Sequence, residues 1–83
     1  MITITNYKFH PQTLTVSPGA TVTVRNMDTP THTVTADAPH AKLFNTGDVG
    51  PGQTKTFKAP TQPGKYPYHC EVHPFMHGTL DVS

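Results

Sequence analysis

Residues 13–26 read TLTVSPGATVTVRN, and their alternation decides the fold. Leu14 and Val16 stand two apart, as do Val22 and Val24, with a threonine between the members of each pair. A period of two sends the apolar residues to one face of a strand and the polar ones to the other. Ser17-Pro18-Gly19 supplies the turn chemistry between the two strands. The same texture extends outward. Short β-branched runs at Ile2–Thr5, Thr13–Ser17, Thr21–Asn26, Thr33–Ala36, Lys55–Lys58, Lys65–Cys70 and Thr79–Val82 predict about seven strands. Val49-Gly50-Pro51-Gly52 and Gln62-Pro63-Gly64 punctuate them. Each strand has one apolar face, so the expectation is two antiparallel sheets packed as an all-β sandwich. No segment carries a helical period, and Ala38–Phe44 is expected to form one irregular turn.

The chain has 83 residues, enough for a single domain over 1–83. A chain of this size buries only about 60% of its unfolded surface and benefits from an added cross-link. One cysteine excludes an internal disulfide, and a bound metal is another such addition. A net charge of +1 with 13% charged residues gives no nucleic-acid footprint. No apolar run approaches the ~18 residues of a membrane span. The opening residues MITITNYKFH lack the apolar core of a signal peptide. Either the chain is cytoplasmic, or Met1 precedes a mature domain whose leader has been removed.

The metal-ligating side chains crowd into Tyr68–Gly78, YHCEVHPFMHG. On the strand Lys65–Cys70, Tyr66, Tyr68 and Cys70 share a face, opposite Lys65, Pro67 and His69. Cys70 then ends the strand pointing inward, and His73 and Met76 follow in the next turn with the spacing C-x2-H-x2-M. Thiolate, imidazole and thioether converge there. Zinc takes the first two but not a thioether. Hard cations want oxygen. Copper takes all three, and two histidines, a cysteine and a weak axial methionine make an electron-transfer site. The second histidine must come from elsewhere. His32 opens a strand after a proline-containing loop and is the best candidate, whereas His10 and His40 each abut a proline in a surface loop. Taken singly, a lone cysteine is more often a small buried hydrophobe. The conjunction of the four residues is what points to metal.

These residues resemble the cupredoxins, the small type 1 (blue) copper proteins, and are closest to their amicyanin and plastocyanin branch. The resemblance rests on Gly64–Gly78, on Leu14–Gly19 with Val22–Asn26, and on His32-Thr33-Val34. It implies a Greek-key β-sandwich and one copper ion cycling between Cu(I) and Cu(II). His32, Cys70 and His73 would be the equatorial ligands and Met76 the long axial one. It implies a monomeric one-electron carrier that meets redox partner proteins transiently near His73, Pro74 and Phe75. It also implies a periplasmic or cell-surface location, and a His73 able to leave reduced copper on taking up a proton. Copper storage or delivery in the cell envelope is the alternative function, though the Met- or His-rich arms that would serve it are absent. A copper enzyme would need further sites built from His-x-His pairs, and the chain has none.

Two positions depart from the family pattern. Thr33 stands where many members carry an asparagine that ties the ligand loops together, so only part of that bridge is expected. Val72 stands where amicyanin and plastocyanin carry proline. Its N–H, which proline lacks, is expected to give the Cys70 sulfur a second hydrogen bond and raise the potential.

Overall fold

Eight short strands and no helix make up the fold of residues 1–83 in a computed structural model. They are β1 (Ile2–Thr5), β2 (Lys8–His10), β3 (Thr13–Val16), β4 (Thr21–Asn26), β5 (Thr35–Ala36), β6 (Thr54–Lys58), β7 (Gly64–His69) and β8 (His77–Val82). One sheet has the order β2-β1-β4-β6 and the other β3-β8-β7-β5. The chain therefore passes from one sheet to the other at each connection from β2 to β7, and stays within a sheet only at the β1–β2 and β7–β8 hairpins.

The sheets are mixed rather than purely antiparallel, which corrects the expectation. β1 runs parallel to β4 and β3 parallel to β8. Alternation reveals which face of a strand is buried but is blind to the polarity of its neighbour. The strand that escaped sequence reading, β2, is three residues long with one inward side chain, Phe9, and so has no period to detect. It is joined to β1 by Asn6-Tyr7, both left-handed (φ +50° and +58°), as a two-residue type I′ hairpin requires.

The inward residues of both sheets form one core. Ile2, Ile4, Val22, Val24 and Phe57 face Val34, Ala36, Tyr66, Tyr68, Leu80 and Val82, with Phe9 and Phe44 filling the space between. Phe44 stacks on Phe57 at 4.7 Å, and both Phe9 and Phe44 meet Tyr68 edge-on. Each such side chain contributes about 1.5–3 kcal/mol by leaving water. Tyr68 is the tightest element. It pairs with Gly78 across β7–β8, and a Cβ at Gly78 would lie 2.5 Å from the Tyr68 ring. Glycine is thus required by close approach. The buried Tyr68 hydroxyl has no hydrogen-bond partner, and burial pushes its pKa well above the usual tyrosine value.

β5 is shorter than expected because Thr33 and Val34 lie outside the ladder. Thr35 and Ala36 pair with His69 and Tyr68, which brings the segment preceding β5 alongside the end of β7. Cys70 and Met76 continue the core to this pole, both almost fully buried.

Candidate metal centre

His32 is positioned by a loop wound around one buried amide. Asn26, at the end of β4, donates its side-chain N–H groups to the carbonyls of Pro30 (2.9 Å) and Val49 (2.8 Å). Its carbonyl oxygen accepts the N–H of Asp28 at 2.8 Å. His32 itself exchanges both backbone hydrogen bonds with Val49, at 3.1 and 2.8 Å. The ring is fully buried.

Cys70 follows β7, and the loop after it closes on itself. The N–H of Cys70 donates to the carbonyl of Met76 at 3.2 Å, and the N–H of Met76 to that of His73 at 2.9 Å. Two backbone bonds thus fix the spacing that the sequence motif defines. His73 is half-buried, with its ring edge-on to Tyr7 (5.0 Å between centroids) and to Phe75 (6.0 Å).

The ligating atoms of His32, Cys70 and His73 form one triangle. His32 Nδ1 lies 3.6 Å from Cys70 Sγ and 3.2 Å from His73 Nδ1, and His73 Nδ1 lies 4.0 Å from Cys70 Sγ. Bonds of about 2.0 Å to nitrogen and about 2.3 Å to thiolate, spread trigonally, would set these separations at about 3.5 Å and about 3.7 Å. The donor set therefore fits one ion of first-row size. Met76 lies buried in the same loop.

The tautomer of His32 follows from its far nitrogen. Asp28 Oδ2 accepts from Nε2–H at 3.0 Å, which leaves Nδ1 with the lone pair that faces Cys70 and His73. The Asp28 carboxylate also accepts the N–H groups of Tyr7 (2.9 Å) and Thr29 (3.2 Å). The hydrogen bond from Tyr7, followed by those from His32 and Thr29, outweighs partial burial and holds its pKa below the ordinary 3.8.

Thr33 bridges the two ligand segments more fully than expected. Its backbone N–H donates to Cys70 Sγ at 3.3 Å, and its hydroxyl accepts the N–H of Glu71 at 2.9 Å. The hydroxyl in turn donates to Thr35 Oγ1 (2.9 Å), which lies within 3.2 Å of Asn45 Oδ1 and 3.1 Å of Glu71 Oε1. Asn45 closes the ring by donating to Glu71 at 3.0 Å. Val72 does not supply the second bond expected of it: Thr33 is the one backbone donor to the sulfur, and Val72 is half-exposed.

The other histidines lie outside the triangle. His10 is exposed on β2, and His40 rests in a turn against Tyr66 at 5.3 Å. His69 faces away from Cys70 and pairs with Asp37 at 2.5 Å, and His77 is exposed. The residues that sequence reading missed are Asp28, which bonds the His32 ring, and Tyr7, whose ring meets those of His32 and His73 edge-on. Asparagine before it, a residue tolerant of the left-handed region, was the available signal.

Residues 1–82 match a family model described as a cupredoxin-like domain. The methylamine utilization protein MauL of Methylophilus methylotrophus is 28% identical over 99% of this chain. The match covers 48% of that protein, so the chain spans about half its length. A purple cupredoxin from Nitrosopumilus maritimus superimposes with a TM-score of 0.87 at 28% identity, over 99% of this chain and 97% of that one. A reduced Cu(I) form of an amicyanin variant gives a TM-score of 0.87 at 28% identity, over 99% and 79% of the two chains. A Cu-containing nitrite reductase from Thermus scotoductus gives 0.81 at 27% identity, and there 99% of this chain covers only 21% of the enzyme.

Proposed function

This chain belongs to the cupredoxin-like domain family, and on that premise we propose that it is a one-electron carrier built around one copper ion. His32, Cys70 and His73 would hold the ion, with Met76 from the same loop as the fourth ligand, within a single domain. The observation that carries the reading is the triangle of two imidazole nitrogens and a thiol, held from both sides by backbone hydrogen bonds. Zinc fits such a triangle equally well, but a buried methionine in the same turn selects for copper.

Bound copper supplies a reversible one-electron change between Cu(I) and Cu(II). The protein's part is to keep the donors still while that change occurs. The Thr33 N–H stabilises charge on the Cys70 sulfur. The Thr33–Glu71 bond fixes the distance between the segment of His32 and the loop of Cys70. Burial of Cys70 and His32 excludes water from all but the His73 side.

Electrons enter and leave at that side. Phe75 stands 68% exposed beside His73, so it faces outward and does not support the loop from beneath. With Tyr7 and Pro74 it makes a small apolar rim suited to brief contact with redox partner proteins. The chain is a carrier and not an enzyme. The neighbours it resembles over most of their length are the small cupredoxins, a purple cupredoxin and amicyanin. No helix is long and apolar enough to cross a membrane. The periplasm or cell surface is the proposed location, on family resemblance.

The test is a visible absorption titration of the apo protein with Cu(II), repeated on Cys70→Ser and His32→Ala. An intense blue or purple band saturating at one equivalent, absent in Cys70→Ser and altered in His32→Ala, is the expected result. A colourless product, or thiol oxidation without a stable Cu(II) form, would replace the carrier reading with copper storage or delivery.

A further inference from the structure

We propose that Asp28 orients the His32 ring and sets the electronic character of the copper site, through a carboxylate hydrogen-bonded to the far side of the buried imidazole. The inference rests on the copper reading above. Asp28 lies four residues before His32, in the same loop. Its Oδ2 accepts the Nε2–H of His32 at 3.0 Å, and His32 has no exposure to water. The imidazole end of that bond is closed to water while the Asp28 carboxylate is partly exposed, so the buried Nε2–H depends on this one acceptor.

The carboxylate is itself held in place. Tyr7 donates its N–H to Oδ2 at 2.9 Å and Thr29 its N–H to Oδ1 at 3.2 Å. The N–H of Asp28 is tied to the fully buried Asn26 at 2.8 Å. Tyr7 reaches this position in a left-handed conformation that glycine would adopt with less strain. A tyrosine there puts its backbone N–H on Asp28 and its ring against His32 and His73.

The consequence is electrostatic. A carboxylate accepting the second N–H of a ligand histidine fixes its tautomer and raises its basicity. A more basic imidazole binds the more highly charged ion better. Asp28 therefore favours Cu(II) over Cu(I) and holds the reduction potential down. Asp28→Asn keeps the side-chain shape and removes the charge.

The experiment measures Cu(II) affinity, Cu(I) affinity and reduction potential of wild type and Asp28→Asn. Expected is a loss of Cu(II) affinity about tenfold greater than that of Cu(I), hence a potential raised by about 59 mV. Equal losses, or an unchanged potential in a variant that still forms the thiolate–copper band, would reduce Asp28 to a packing residue and overturn the inference while the carrier reading stood. A wild type that forms no such band would overturn the carrier reading and this inference with it. The Cu(I) wild-type protein gives a check that requires no variant to fold. Its His32 Nε2–H should appear in 15N-resolved NMR as a downfield, exchange-protected proton, and its absence would also overturn the inference.

Discussion

The hydroxyl of Thr33 accepts the backbone N–H of Glu71 at 2.9 Å, joining the segment that carries His32 to the loop that begins at Cys70. The same residue serves the sulfur with its own N–H. Thr33→Val should therefore separate two roles. The N–H to Cys70 survives, whereas the N–H of Glu71 loses its acceptor and Thr35 its hydroxyl neighbour. The expected cost is about 1–3 kcal/mol in urea unfolding of the apo protein. A variant as stable as wild type would show that solvent replaces the bridge without loss.

A threonine hydroxyl is shorter than an asparagine amide, and by itself it spans less. That Thr35, Asn45 and Glu71 extend it into a ring was not legible, because the members come from three separate segments. The ligand motif was legible for the opposite reason: Cys70, His73 and Met76 are close in sequence, and chemistry alone narrows the ion. His32 was legible through its neighbours, a loop proline and the start of a strand. Asp28 was not, since an aspartate in a loop reads as solvated until its partners are known. The strand faces were legible from Thr13–Asn26, but the parallel pairings of β1 with β4 and β3 with β8 were not, because they depend on long-range topology.

Gly78 and Tyr68 offer a packing test. A methyl at residue 78 would come within 2.5–2.7 Å of Tyr68 Cζ, OH and Cε1, and the fully buried ring has nowhere to retreat. Gly78→Ala should cost about 1–3 kcal/mol through overpacking. Tyr68→Phe should do the reverse and raise stability by about 1 kcal/mol, since it removes a buried hydroxyl without a partner. Combining the two should not rescue Gly78→Ala, because Cζ and Cε1 remain in the way. Thermal melts of the three apo variants check all of this.

Asp28 predicts a pH dependence of stability in the apo protein. Its pKa in the fold lies below the ordinary 3.8, chiefly because the Tyr7 N–H stabilises the carboxylate. The unfolded chain then binds more protons than the folded one as pH falls through this region. The stabilisation from Asp28 is thus complete above the unfolded pKa and is lost as pH falls through the lower folded value. Asp28→Asn should be less stable than wild type at pH 6, and the gap should narrow as pH falls through the ordinary carboxylate range and below it. Urea melts of both proteins across that range test the sign. A gap constant with pH would mean that the carboxylate charge does not contribute to folding.

Phe75 separates docking from folding. It stands 68% exposed, with its ring 6.0 Å from that of His73 and 6.1 Å from that of Tyr7. Truncation forfeits little burial, so Phe75→Ala should change stability by no more than about 0.5 kcal/mol. Electron self-exchange is the sharper readout, since two copies must bring their His73 sides together. Phe75→Ala should slow it by removing apolar contact at the point of closest approach. Phe75→Lys should slow it further at low salt, because each encounter then opposes two like charges, and added salt should recover part of the loss by screening them. NMR line broadening in mixtures of reduced and oxidised protein measures the rate. If neither substitution slows exchange while copper remains bound, electrons leave by a route other than the His73 edge, and the apolar rim serves no encounter.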